Sequence, residues 1–154
     1  IYKGLESART DWTPLAQQFQ QELYQRIFRR EPYQAYVRDY VRQTLDGERD
    51  AALVYRKRLR RPLDAYERNV PPHVRAARMA DEFNREQGRP QQYQDGGWIS
   101  YVMTTAGPEP MEMRRSPIDY GHYVTRQLQP VADAILPFLG DDFAGLVTGQ
   151  QELF

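Results

Sequence analysis

Apolar residues spaced four positions apart constrain the fold of this chain more than any other feature of its sequence. This spacing places them on one face of an α-helix. A Thr-Pro pair precedes them, and Thr at the N-cap with Pro at the first helical position is typical of a helix start. The pattern therefore predicts a helix of about four turns. Its first residue is Pro14, and the apolar face comprises Leu15, Phe19, Leu23 and Ile27.

The same period predicts further helices along the chain. One covers residues 35–45 and ends at Gly47, a second begins at Pro71-Pro72 and ends at Gly88, and a third covers residues 119–139. Pro130 and Pro137 lie inside the third pattern, so we expect a kink or two shorter helices there. Two shorter segments are also predicted to be helical, a turn at 62–66 and a terminal helix after 141–142.

Two segments show a β-type pattern instead. Residues 53–59 alternate in character, and residues 96–105 read GGWISYVMTT, with β-branched and aromatic residues on both faces. The first is basic and is therefore not expected to be a central strand, but it can pair with the second. Residues 106–117 are rich in Pro and Gly and are predicted to be a loop. The expected fold is mainly α, with a small two-stranded β element and a flexible C-terminal tail.

Positive charge is concentrated in the middle of the chain, although the net charge is zero. Residues 51–90 hold 10 basic and 5 acidic side chains, and the stretch YRKRLRR at 55–61 is the densest part. Most of these cations are Arg, whose planar guanidinium suits forked contacts to phosphate. Two interpretations remain open on charge alone, a solvated face and a nucleic-acid interface.

Side chains suited to independent catalysis are scarce. The chain has no Cys, which excludes disulfides and cysteine zinc sites, and it has no apolar run long enough to span a bilayer. A reducing, cytoplasmic setting without a membrane is therefore expected. His73 and His122 lack nearby ligands at metal spacing, so a structural or phosphate-facing role is favoured over metal binding. Asp141-Asp142 can be a Mg²⁺ pair, but an N-cap explains these residues better.

Several motifs resemble, in order along the chain, the thumb of family B DNA polymerases. The first, KGLESARTDW at 3–12, resembles the turn from the palm into the thumb of that family. The others are YRKRLRRPLDAY, PPHVRAARMA, GGWISYVM and DYGHYVTRQLQPVADAIL. Agreement of several blocks in one order is more specific than any single block.

The resemblance implies a domain division and a partner. Residues 1–12 would be the palm-to-thumb connector, 13–147 the thumb domain, and 148–154 a C-terminal tail. A thumb of this family grips the primer-template duplex through its phosphates, without reading sequence. By resemblance, we assign phosphate contacts to Arg56, Lys57, Arg58, Arg60, Arg61, His73, Arg75 and Arg78. The alternative for each cation is that it is solvated or paired with a neighbouring acid such as Asp64, Glu67 or Asp81.

The resemblance also implies that the chemistry lies elsewhere. The chain begins without Met and is expected to be a piece of a longer polypeptide, the remainder of which holds the palm carboxylates and their Mg²⁺ ions. The fragment alone would hold no cofactor and perform no catalysis, whereas the parent would be a DNA-directed DNA polymerase, a nucleotidyltransferase of DNA replication and repair. Such an enzyme would be cytoplasmic and associated with the nucleoid.

The last residues, GQQELF, resemble the peptide that binds the bacterial sliding clamp. In that peptide, which is roughly Gln-Leu-x-Leu-Phe, the Gln amide binds at the rim and two apolar residues fill a pocket. The matching residues are Gln150, Leu153 and Phe154, and Gln151 stands in place of the usual Leu. Two alternatives remain open: the tail can fold back onto its own helix, and the whole chain can be a non-catalytic helical adaptor for the clamp.

Overall fold

The computed structural model describes residues 12–68 and 70–152, and these are mainly α-helical. The helices are α1 (Pro14–Phe28), α2 (Gln34–Leu45), α3 (Pro72–Glu86), α4 (Tyr120–Tyr123), α5 (Gln129–Asp133) and α6 (Phe143–Glu152). The strands are β1 (Tyr55–Leu59), β2 (Gly97–Thr104) and β3 (Gly107–Pro110). The described chain divides into two compact units, residues 12–53 with 120–152 and residues 54–119. Among the described residues, no helix is long and apolar enough to cross a membrane.

The first unit, residues 12–53 with 120–152, is built on the predicted face of α1. Leu15, Phe19 and Leu23 are fully buried. The Phe19 ring lies 4.9 Å from the ring of Tyr40 in α2, and the Tyr40 hydroxyl donates a hydrogen bond of 2.8 Å to the carbonyl of Leu15. The predicted end of α2 is also confirmed, because Gly47 has a φ of 80°, which favours glycine.

The predicted interruption of the helix at 119–139 is confirmed. α4 is followed by a π-helical turn, Val124–Leu128, and then by α5 and a 3₁₀ turn, Leu136–Leu139. Pro130 has no N–H to donate to the preceding turn, which weakens a regular α-helix at this point. The π turn holds the buried Gln127, whose Oε1 accepts hydrogen bonds of 2.9 and 3.0 Å from the backbone N and the hydroxyl of Thr13. The Thr13 side chain therefore binds Gln127 and makes no cap on α1.

The second unit, residues 54–119, is an antiparallel sheet in the order β1-β2-β3, against which α3 packs. The predicted pairing of the basic strand with GGWISYVMTT is confirmed, and β1 lies at an edge as expected; its register places Arg58 opposite Trp98. The prediction of a two-stranded element was wrong, because β3 pairs with β2 as a third strand. Pro108 and Pro110 suggested a loop. Because they are two positions apart, their backbone N atoms lie along the same edge of the strand. An edge strand tolerates Pro when this edge is the unpaired one.

Two acidic side chains hold the loops of the second unit. The buried Asp81 accepts hydrogen bonds from the backbone N of Gln92 (2.6 Å) and of Tyr93 (2.9 Å). The buried Glu109 accepts from the backbone N of Arg115 (2.8 Å) and of Ser116 (3.2 Å). Burial raises the pKa of Glu109, but these hydrogen bonds outweigh it, so the pKa lies below its ordinary value. Glu109 therefore stabilises the fold in its charged form.

Candidate nucleic-acid interface

β1 separates its cations from the core by simple alternation. Tyr55 and Leu59 are buried, whereas Arg56 and Arg58 are exposed on the opposite face of the strand. Lys57 shares the side of Tyr55 and Leu59 and is half-buried. Arg60 and Arg61 follow the strand and are exposed. We call the four exposed residues Arg56, Arg58, Arg60 and Arg61 the β1 arginine cluster.

Aromatic rings hold two members of the cluster. The guanidinium carbon of Arg56 lies 4.4 Å from the centre of the Trp98 ring, and that of Arg61 lies 4.4 Å from the centre of the Tyr66 ring. These cation–π contacts orient the side chains without neutralising their charge. The Tyr66 hydroxyl also accepts a hydrogen bond of 3.3 Å from the backbone N of Arg60. Arg56 and Arg61 are therefore anchored, and the cluster keeps its positive charge.

The cluster has no acidic partner within the described residues, 12–68 and 70–152. The ion pairs found there join Arg26 with Glu22, and Arg42 with Asp46 and Glu48, all in the first unit. Asp81, one of the acids expected to compete, binds backbone N–H groups instead. Four guanidinium groups thus remain available for an external anion.

His73 is placed differently from the cluster. It is 6% exposed at the start of α3, and its Nδ1 has no hydrogen-bond partner in the described structure. Burial, followed by the nearby charge of Lys57, lowers the pKa of His73 and favours its neutral form. The structure therefore does not bring His73 to the surface beside the arginines.

The helix start at His73 has little free donor capacity. The backbone N of Val74 and that of Arg75 both donate to the carbonyl of Pro71, at 3.1 and 3.2 Å. The side chain of Arg75 is exposed, and its Nη2 lies 3.1 Å from the position that a Cβ on Gly107 would occupy. Arg75 therefore lies against the start of β3.

Arg78 is used within the fold. Its Nη2 donates to the carbonyls of Leu63 (3.0 Å) and Tyr66. These contacts brace the short 3₁₀ turn Leu63–Ala65 that follows the cluster. Of the eight residues predicted to bind DNA, the structure thus brings Arg56, Arg58, Arg60 and Arg61 together as exposed cations. It buries His73 and uses Arg78 in hydrogen bonds within the fold.

The predicted clamp-binding residues cannot be placed in the same way. α6 extends to Glu152, so the predicted tail, 148–154, begins inside this helix. Leu153 and Phe154, the side chain of Gln150, and residues 1–11 of the predicted connector lie outside the described residues. In the described part, Asp142 acts as the predicted cap, because its Oδ1 accepts a hydrogen bond from the backbone N of Gly145.

Sequence reasoning missed the aromatic partners of the cluster. Trp98 lies in a run with apolar residues on both faces, which favours burial, yet it is 52% exposed. Its position opposite Arg58 depends on the strand register, and the sequence does not fix that register. No cluster of three or more metal-binding side chains occurs in the part of the chain that the structure describes.

The fold is similar to part of a family B DNA polymerase. It is similar to the family B polymerase from the hyperthermophilic archaeon Pyrobaculum calidifontis, with a TM-score of 0.66 and 24% identity, over 86% of this chain and 18% of that chain. The chain is also 69% identical, over all 154 residues, to DNA polymerase II of Escherichia coli (strain K12), itself a family B polymerase. It spans 20% of the length of that relative. The predicted resemblance is therefore confirmed, although no protein-family model matches the chain.

Proposed function

We propose that this chain is the thumb of a DNA polymerase of the DNA polymerase II type and that it grips the primer-template duplex through phosphates. The observation that supports this most directly is the β1 arginine cluster, whose four exposed guanidinium groups have no acidic partner among the described residues. A double helix carries one phosphate charge per ~1.7 Å of its axis, and such contacts give affinity without sequence preference.

The other predicted residues have secondary roles in this proposal. Arg75 is exposed and adds a phosphate contact beside β3. Lys57 is half-buried and contributes positive potential. Arg78 and His73 position the turn after β1 and the start of α3, and direct contact of these two residues with phosphate stays a prediction.

The catalytic part of the proposal concerns residues beyond this chain. Family B relatives transfer nucleotides, so we propose that the palm of the same polypeptide supplies the carboxylates and Mg²⁺, whereas this part supplies the grip. On this view residues 1–12 connect the palm to the thumb, and residues 13–147 form the thumb. The setting is cytoplasmic, on the DNA of the nucleoid, in replication and repair.

The tail adds a second attachment in this proposal. Gln150, Leu153 and Phe154 bind the sliding clamp with modest affinity, because part of the gain from burying two apolar side chains offsets the ordering of the tail. The clamp encircles the duplex that the thumb holds, so the tether raises the effective concentration to the order of millimolar. Two modest affinities then give one processive complex.

A salt titration tests the grip. For the purified protein and a short duplex, we expect the logarithm of the affinity to fall steeply with the logarithm of the salt concentration, and equally for unrelated sequences. A clamp adaptor, the alternative function, would show no such slope. A flat response, or a strong preference for one duplex sequence, would overturn the proposed grip.

Deleting Leu153 and Phe154 tests the tail. We expect binding to the purified clamp to be lost while the affinity for duplex DNA and the melting temperature stay unchanged. Deletion of Ile1 and Tyr2 is the matched control, because it removes two apolar residues from the other end. If the tail is instead folded back onto the protein, the deletion lowers the free energy of unfolding by several kcal/mol.

A further inference from the structure

The second unit contains a cavity of about 480 Å³ beside the β1 arginine cluster. Its size lies within the range of small-molecule sites. It is lined by α3, the loop after α3, the start of β2 and the segment after β3, and residues of contrasting chemistry meet there. Those that matter here are Asn84, Arg89, Tyr93, Trp98, Met111 and Glu112.

Asn84 gives the cavity a buried, unused hydrogen-bond donor. This side chain is 3% exposed, and its Nδ2 has no partner in the described structure. Ala80 lies one turn earlier on α3, is equally buried and also lines the cavity. Buried amide donors are almost always satisfied in proteins, so an unsatisfied one in a cavity wall indicates an acceptor on whatever occupies the cavity.

Trp98 gives the same cavity a flat, accessible ring. The residue is 52% exposed, and Arg56, which lies over one face of the ring, is not among the lining residues, so the opposite face of the ring is the one offered to a ligand. An aromatic ring of this kind stacks on a nucleobase without regard to its identity. Arg89 at the rim and Arg58 opposite Trp98 supply positive charge for a phosphate.

Glu112 is the acidic residue among those that line the cavity, and it is exposed. A carboxylate there disfavours a simple anion, but it can accept a hydrogen bond from the exocyclic amino group of a base. Cytosine offers both complements, a ring acceptor for Asn84 and an amino donor for Glu112.

We propose that this cavity binds the base of an unpaired nucleotide in single-stranded DNA, with the ring stacked on Trp98 and its acceptor on Asn84. The inference rests on the proposed function, because it places a single strand beside a duplex grip. It adds a site that reads whether a base is present, which phosphate contacts cannot do.

The test compares an oligonucleotide of eight deoxycytidines with an abasic oligonucleotide of the same length and charge. For the purified protein, we expect the base-bearing strand to bind about five-fold or more tightly and to quench the fluorescence of Trp98. Trp12, the other tryptophan, is buried and serves as a constant background.

Asn84→Leu should lower this affinity ratio about twofold or more, because it removes the donor while keeping the side-chain volume, and stacking on Trp98 accounts for the preference that is left. Its melting temperature should not fall, since the unsatisfied donor is gone. Gln91→Leu is the matched control, because Gln91 is exposed outside the cavity lining, and it should keep the wild-type ratio. Glu112→Ala, an exposed change, should lower the ratio for deoxycytidine strands but not for deoxythymidine strands.

Equal affinity of the wild-type protein for both strands would overturn the base site. If the duplex salt slope is present in that case, the grip stands and only the cavity assignment fails. A base preference that Asn84→Leu lowers and Gln91→Leu does not, together with a flat duplex salt response, would support the cavity and reject the grip.

Discussion

Arg26 and Arg42 of the first unit differ from Arg56 and Arg61 of the second in whether a carboxylate neutralises them, although ring contacts occur in both units, as that of Arg26 with Tyr36 at 4.8 Å shows. In the first unit, Arg26 pairs with Glu22 at 2.8 Å, and Arg42 lies 3.5 Å from Asp46 and 3.6 Å from Glu48. In the second unit, Arg56 and Arg61 lie over aromatic rings, and no described carboxylate pairs with them. Arg42, Arg56 and Arg61 are exposed, whereas Arg26 is half-buried.

This difference teaches that composition alone does not identify a binding surface. An exposed ion pair contributes about 0 to 1 kcal/mol to stability, and it also cancels the field that would attract a phosphate. A guanidinium on an aromatic ring is held in place without being cancelled. We infer that the unpaired, exposed arginines of the β1 arginine cluster mark the surface for DNA.

The largest predicted effect comes from removing the unpaired arginines of the second unit, which should weaken the salt dependence of duplex affinity. Replacing Arg56, Arg58, Arg60 and Arg61 together with Ala should lower the slope of log affinity against log salt by about 3.6. The loss of duplex affinity between 50 and 200 mM salt should then shrink by about a hundredfold relative to the wild type. Filter binding or fluorescence anisotropy at several salt concentrations measures it.

The matched control removes paired arginines from the first unit. Arg26→Ala with Arg42→Ala should leave the slope unchanged, since these charges are already compensated. If this control lowers the slope as much as the change in the cluster, the comparison between the units has no functional meaning.

A smaller effect separates arginines within the second unit. Arg78→Ala should lower the free energy of unfolding by about 1 to 2 kcal/mol, because it leaves the carbonyls of Leu63 and Tyr66 without their charged donor. Arg85→Ala, on the same helix and also exposed, should change it by less than about 0.5 kcal/mol, because the Arg85 side chain makes no hydrogen bond to the described residues. Urea denaturation measures both, and equal values would show that Arg78 is not a brace.

The sequence predicted the helices well because their patterns are local. The apolar face of α1 and the glycine end of α2 need only neighbours in the chain, and the structure confirms both. β3 was missed because two prolines masked a strand that pairs with β2. An edge position, which makes the prolines acceptable, is a property of the assembled sheet.

The candidate site was predictable in charge but not in arrangement. YRKRLRR identified the basic strand, but the sequence did not show that Arg78 would turn to backbone carbonyls or that His73 would be buried. The roles of Trp98 and Asn84 could not be predicted from the sequence, because they depend on cross-strand register and on how α3 packs. Contacts between residues distant in sequence decide which cations of the basic segment at 51–90 are available to bind phosphate.

A still smaller effect concerns the free energy of unfolding at acidic pH. Because the pKa of Glu109 is lowered, its charged form stabilises the fold above the ordinary value of 4.5, and this contribution is lost as the pH falls through the lowered pKa. The wild type should therefore exceed Glu109→Gln in unfolding free energy at pH 7, and the difference should shrink below pH 4.5. Urea denaturation at pH 7 and at pH 4 measures the difference, and a constant difference for Glu109→Gln would contradict the assignment.

The most direct test of the central claim uses one charge from each unit. Arg58→Ala should reduce the slope of log duplex affinity against log salt by about one, whereas Arg42→Ala, equally exposed but paired, should leave it unchanged. Both variants should keep the wild-type melting temperature within a few degrees. An unchanged slope for Arg58→Ala, or an equal reduction for the two variants, would contradict the claim that unpaired arginines of β1 bind the phosphates of DNA.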